Sequence, residues 1–164
     1  MILSRFIAKW SVGNLAIRVD PVELDSVETR FRFKFPLDFR HEILRYGIPQ
    51  HPSLYLHHSI LKTNLDIGPV AAFMEPGAMI EYTQSWYEHG LPADCVAFAV
   101  DVSDNVFCFQ IIDRQKARPT APVWLFDFNT KTTTAVAPSF TAWITQFCEV
   151  EFVGLDDEME GEAS

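Results

Sequence analysis

Ile2, Leu3, Phe6, Ile7 and Trp10 recur at three- and four-residue steps, the spacing that places apolar side chains on one face of a helix, and Gly13-Asn14 supplies its stop. Asp20-Pro21 opens a second helix, with aspartate as N-cap and proline in the first turn, and Val22, Leu24, Val27 and Phe31 are its apolar positions. Phe35-Pro36 interrupts it, because the residue before a proline is pushed out of the helical region. A third helix is predicted from Leu37 to Tyr46, with Phe39, Ile43 and Leu44 on one side and Gly47 at its end. From Ile48 to Pro69 the pattern fades, and a variable loop with a strand around Leu54 to Ile60 is expected. After the Glu75-Pro76-Gly77 turn, Met79, Tyr82, Trp86 and Tyr87 return to helical steps as a fourth helix running up to Gly90.

The second half changes character. Cys95 to Asp101, Val106 to Ile112 and Val123 to Phe128 are rich in aromatic and β-branched residues and are parted by polar segments, so they read as consecutive strands. Asn129-Thr-Lys131 is a turn, Thr132 to Val136 a further strand, and Ser139 the N-cap of a closing helix that buries Phe140, Trp143, Ile144 and Phe147. Helices, then a meander, then a helix make an α+β domain: an antiparallel or mixed sheet of about four to six strands, with helices packed on one face.

The chain has 164 residues, 48% of them hydrophobic, which suffices for one domain with its own core. The formal net charge is −9, and Asp156, Asp157, Glu158, Glu160 and Glu162 carry more than half of it. Residues 1–154 are therefore expected to form the single domain and 155–164 an acidic disordered tail. An acidic balance argues against direct nucleic-acid binding, whose affinity comes from Lys and Arg displacing counterions. Cys95, Cys108 and Cys148 are odd in number and lack C-x-x-C spacing, which fits buried thiols rather than a zinc set or a disulfide framework. Arg5 and Lys9 break the apolar start that a signal peptide needs, and no apolar run approaches the roughly 20 residues of a membrane span. A cytoplasmic, soluble protein is expected.

Little points to catalysis. His51, His57, His58 and Asp66 are ligand types, but adjacent histidines on an extended segment face opposite ways, and no metal site is expected. Stoichiometric metal would revive a hydrolase using His57, His58 and Asp66. Cys108 lies between Phe107 and Phe109, where apolar surroundings raise a thiol's pKa and suppress nucleophilicity. No phosphate-binding loop, nucleophile elbow or H-E-x-x-H motif is present. Asp101 and Asp104 flank a strand turn, where aspartate binds local backbone, and Asp113 and Asp127 end strands. Arg30, Arg32, Lys34, Arg40 and Arg45 form the basic concentration, assigned to solvated faces of the second and third helices. These readings predict a non-enzyme without cofactor.

Phe35-Pro-Leu-Asp-Phe-Arg-His-Glu-Ile-Leu-Arg-Tyr-Gly47 resembles the L-P-x-x-Y/F-x-x-F/L-L helix that opens the SUKH superfamily, named partly for the fungal cell-wall assembly regulator. Gly90-Leu-Pro-Ala-Asp-Cys-Val-Ala-Phe-Ala-Val-Asp101 is similar to that family's L-P step and its strand ending in F-A-x-D. Pro122-Val-Trp-Leu-Phe-Asp127 and Ala137-Pro-Ser-Phe-Thr-Ala-Trp-Ile144 resemble its P-V-Y and S-F-x-x-F/W-L ending, in register from Val22 to Phe147. Tyr46-Gly-Ile-Pro49 stands where the family has Asn-Gly-Gly, and Ser103-Asp-Asn105 lacks its usual glycine.

The resemblance implies an α+β fold without a general catalytic residue set. It also implies a bacterial immunity protein that binds and neutralises a cognate toxin, with a nuclease as one toxin class; the alternative is a regulatory or scaffolding adaptor. The expected partner is a protein, not a membrane, and the chain a monomer or weak homodimer. For its contact surface the sequence offers Trp86 and Tyr87 with Glu81 and Glu88 beside them, an aromatic-plus-acid patch, against the alternative that Trp86 is core and the glutamates merely solvated. Asp101, Asp104 and Asp113 are the next choice and the acidic tail the third.

Overall fold

The computed structural model describes residues 1–112, 114 and 116–154; Asp113 and the expected tail at 155–164 lie outside the described residues. Helix α1 (Ile2–Trp10) buries the stripe Ile2, Leu3, Phe6 and Trp10 that its spacing predicts. In α2 (Pro21–Phe31) the Asp20 side chain accepts from Val22 N–H while Glu23 accepts from Asp20 N–H, so both ends of a capping box are made. Leu24, Val27 and Phe31 face inward, whereas Val22 is exposed. Helix α3 (Leu37–Tyr46) begins after Pro36, and its first free N–H groups, Leu37 and Asp38, donate to the Arg118 and Pro119 carbonyls of a distant loop.

Gly47 ends α3 at φ 86° and ψ −179°, a conformation essentially reserved for glycine. A Cβ there would stand 2.6 Å from the Ile17 carbonyl oxygen. That close approach lets Ile17 and Ile48 exchange both backbone hydrogen bonds, at 2.9 and 2.8 Å.

The strand expected around Leu54 to Ile60 is instead a helix, α4 (Leu54–Lys62). Ser53 caps it by accepting from Tyr55 N–H, and Leu56, Ser59 and Ile60 form its buried stripe at steps of three and four. His57 and His58 thus sit on consecutive helical positions rather than on opposite faces of a strand. Among the described residues no group of three or more His, Cys, Asp or Glu is placed to hold a metal ion.

Strand β1 (Val70–Phe73) follows, then α5 (Pro76–Tyr87), the fifth helix rather than the fourth. Strands β2 (Cys95–Asp101), β3 (Val106–Gln110), β4 (Val123–Asp127) and β5 (Thr132–Ala137) complete a five-stranded antiparallel sheet in sequence order β1-β2-β3-β4-β5. Ser139 caps the closing helix α6 (Phe140–Glu149) through the Ala142 N–H. The fold is α+β, with helices at both ends of the chain.

One face of the sheet receives α6 and α1. Trp143 rests on Phe73, Phe98 and Phe107, and Phe6 meets Phe73 and Phe147. The other face receives α5, whose Thr83 hydroxyl accepts from Ala97 N–H and whose Tyr87 hydroxyl donates to the Cys95 carbonyl. The central strands are thus covered on both faces, which corrects the expectation of one; β2 and β3 read as unbroken apolar runs for that reason. Arg40 also departs from its expected solvated face. Its guanidinium is 20% exposed and pairs with Asp25 at 2.9 Å and with buried Glu28 at 3.2 Å.

All three cysteines are free and buried. A hydrogen bond with the neighbouring Cys95 thiol, together with burial, holds the Cys108 thiol well above its ordinary pKa, and burial raises Cys148. Burial likewise pushes the Tyr87 phenol up to about 12. All three acids keep their protons longer folded than unfolded, so their contribution is complete below about pH 8.5, the unfolded thiol value, and declines as pH rises toward the folded values. The melting temperature is expected to fall progressively above pH 8.5 in a thermal scan from pH 7 to 11. A flat profile would contradict the burial of these groups.

Candidate binding groove

A cleft of about 440 Å³ opens between β1 and the α5 that follows it, the Ile48 to His51 segment and the β2–β3 turn. One wall is the edge strand β1 continuing through Met74 and Glu75; another is the Ala78, Tyr82 and Trp86 stripe of α5. Ile48 to His51 lies opposite, and Asp104 closes one end from the β2–β3 turn. The volume falls in the roughly 300–1,000 Å³ range of ligand sites. By contrast, a hollow beside Lys34, Lys116 and Arg118 encloses only about 20 Å³, room for about one water.

Local sequence explains each wall. Pro76 starts α5 in the first helical turn, and the four-residue steps from Ala78 to Tyr82 to Trp86 keep those side chains on one stripe. The Tyr82 and Trp86 rings stack at 5.3 Å with 25° between their planes, and Trp86 leans on Phe128 from behind at 5.8 Å. Tyr82 is half exposed, so the pair presents an aromatic face to the cleft from a fixed backing.

At the turn, buried Asp101 accepts from Ser103 N–H at 2.8 Å and from Asn105 N–H at 2.9 Å through one carboxylate oxygen. Those bonds hold Asp104 at φ 64°, a left-handed conformation that aspartate tolerates without the missing glycine. The cleft is bordered by the Glu75 and Asp104 carboxylates and by no Lys or Arg among the described residues.

β1 is the terminal strand of the sheet, and a bulge separates Val70 from Ala72 in its pairing with β2. Met74 N–H donates to the Phe98 carbonyl at 2.9 Å, and peptide groups alternate in direction along a strand, so Phe73 turns its N–H and C=O away from β2 toward the open edge.

The residues singled out from sequence separate here. Trp86 and Asp104 line the cleft together. Tyr87, one position on, points into the fold, where its hydroxyl donates to Cys95 at 2.8 Å and its ring meets the edge of Phe31. Asp101 is turned inward to organise the turn. Glu81 and Glu88 are exposed on and just after α5 but do not border the cleft, and Asp113 lies outside the described residues. The sequence assigns none of Glu75, Tyr82 and His51 to a contact surface: Glu75 reads as part of a turn, Tyr82 as a helix position and His51 only as a ligand type weighed against a metal site. Tyr82 was within reach, four positions before Trp86; Glu75 and His51 carry no local signal.

The model of the SMI1/KNR4 family (SUKH-1) matches residues 18–146, which include every element from α2 through the sheet and most of α6. The chain belongs to the SMI1/KNR4 family. No curated protein matches it. In this SMI1/KNR4 domain α1 lies before the matched span and is fastened onto α6, with the Trp10 indole N–H donating to the Phe147 carbonyl at 2.8 Å and Lys9 to the Cys148 carbonyl at 3.0 Å. All the cleft residues except Ile17 lie within the matched span. No helix of the described residues is long and apolar enough to cross a membrane.

Proposed function

We propose that this SMI1/KNR4 chain is a non-catalytic immunity protein that neutralises a cognate toxin domain by direct binding, with the β1–α5 cleft as the centre of contact. The observation that carries the reading is the cleft itself: a recess on a family domain with a stacked aromatic pair on one wall and carboxylates without a lining Lys or Arg among the described residues. Aromatic side chains set in a recess become buried hot spots when a partner covers them. A nuclease toxin holds its substrate with Lys and Arg, and an acidic partner opposes that surface, gaining association rate by steering. Residues 1–154 form the binding unit in this reading, acting in the cytoplasm as a monomer or weak homodimer.

The test is to look for a toxin gene beside this one and to co-express the domain it encodes. Growth should be restored, a stoichiometric complex should be recovered, and the association rate should fall at least several-fold as salt is raised from about 0.05 to 0.5 M. Failure of both protection and complex formation would discard the immunity reading. Recovery of cell-wall or signalling proteins instead would favour the adaptor.

A further inference from the structure

Resting on that reading, we propose that the cleft takes an extended basic segment of the partner: a short strand that pairs with the open edge of β1 and lays an arginine or lysine over the Tyr82–Trp86 rings, between the Glu75 and Asp104 carboxylates.

The edge and the charges point the same way. A terminal strand carries unpaired peptide groups that template another strand, and proteins commonly block such edges with Lys, Pro or a covering element. Within Val70–Phe73 there is neither Lys nor Pro; the edge is guarded by its shortness and by the bulge before Ala72, and beyond that bulge Ala72 is exposed and leaves the approach to Phe73 uncrowded. The Phe73 peptide faces outward, whereas on the opposite wall Ile48 has already spent its N–H and C=O on Ile17. Pairing therefore belongs to β1.

The strand is short and bulged, so backbone bonds alone give little affinity, and a side-chain anchor must supply the rest. The lining selects a cation for that role. A stacked aromatic face attracts a guanidinium or ammonium through its quadrupole, and desolvation in a recess strengthens the attraction. Glu75 and Asp104 add two carboxylates, and no lining Lys or Arg competes for them. Of the two cations, the planar guanidinium both stacks on a ring and donates in a fork to a carboxylate, so arginine is the better fit.

The probe is the peptide acetyl-Thr-Val-Arg-Val-Thr-amide, titrated into the full chain at up to about 1 mM, the range where a few weak contacts become measurable. Amide shifts and the Trp86 indole signal report binding. Saturable shifts at Ala71, Phe73 and Trp86 are expected. The analogue with neutral citrulline in place of arginine should bind about tenfold more weakly. Tyr82→Ala and the Glu75→Gln, Asp104→Asn double variant should weaken the arginine peptide by a similar factor; both leave core residues alone, and asparagine tolerates the left-handed turn position. Equal binding of the citrulline peptide, shifts that spare β1, or no saturable shift would overturn the proposal. A toxin neutralised with undiminished affinity by the double variant would overturn this inference and leave the immunity reading standing. Peptide binding as described without any toxin neutralised would do the reverse.

Discussion

Trp143→Ala is expected to lower the unfolding free energy by about 3–5 kcal/mol, the range for truncating a large buried aromatic. The Trp143 ring is 1% exposed and sits where the closing helix meets three strands, 4.8 Å from Phe107, 5.3 Å from Phe98 and 5.9 Å from Phe73. Along α6 it also meets Phe140 at 6.0 Å and Phe147 at 5.1 Å, so its removal opens a hole that no single neighbour can fill. Interiors are packed as densely as organic crystals, and the surrounding rings can relax only in part. Against a total stability of about 5–15 kcal/mol, such a loss leaves the protein marginal or unfolded at 37 °C. Trp143→Phe keeps most of the contacts and should cost appreciably less. Urea unfolding of the two variants checks this; an unfolding free energy for Trp143→Ala within about 1 kcal/mol of wild type would mean that the sheet and α6 do not depend on this junction.

The elements read correctly from sequence are those whose signals are local. Asp20 and Ser139 cap their helices through neighbours two or three residues away, Gly47 stops α3 by its own conformation, and the meander is punctuated by polar turns. The strand misread at Leu54 to Ile60 shows the limit. Leu54 and Leu56 alternate as in a strand, but the stripe that is buried is Leu56, Ser59 and Ile60, with a serine at its centre. Seeing that serine as an inward position requires knowing that its hydroxyl accepts from Val153 N–H, ninety-four positions away.

β1 is harder still. Its four residues include two alanines, and it is a strand because β2 offers it a partner, not because of its own propensity. The cleft inherits this difficulty, since its walls join residues 71–86 to Ile17, Ile48 to His51 and the β2–β3 turn, and only the Ala78–Tyr82–Trp86 stripe is local. Trp86 and Tyr87 are equivalent in the sequence as aromatic neighbours, as Asp101 and Asp104 are as turn aspartates. Tertiary packing sends one of each pair to the cleft and turns the other into the fold.

Glu28→Ala is expected to lower the unfolding free energy by about 3 kcal/mol. The Glu28 carboxylate is 7% exposed and stands under the Arg32–Lys34 bend that joins α2 to α3. One oxygen accepts from Phe35 N–H at 2.8 Å; the other takes Arg40 at 3.2 Å, with Lys34 at 4.0 Å. The Glu28 backbone carbonyl accepts from Phe33 N–H at 3.1 Å, so a single residue ties both main chain and side chain across the bend. Truncation leaves the buried Phe35 N–H without its acceptor, a loss of about 1–3 kcal/mol, and strips Arg40 of its inner partner. The total stays at the low end for a broken buried pair because Arg40 retains Asp25 at 2.9 Å. Glu28→Gln separates the contributions: its amide oxygen can still accept from Phe35 while its NH2, a donor, stands where an oxygen took Arg40, so the Arg40 pair alone is lost and the cost should be smaller than for alanine by about the 1–3 kcal/mol of the Phe35 bond. Urea unfolding of both variants distinguishes these roles. Equal destabilisation by Ala and Gln would assign the effect to the ion pair with Arg40; a much larger effect for Ala would place it in the hydrogen bond that turns Phe35 into the core, where its ring meets Phe33 at 4.7 Å and Phe39 at 4.9 Å.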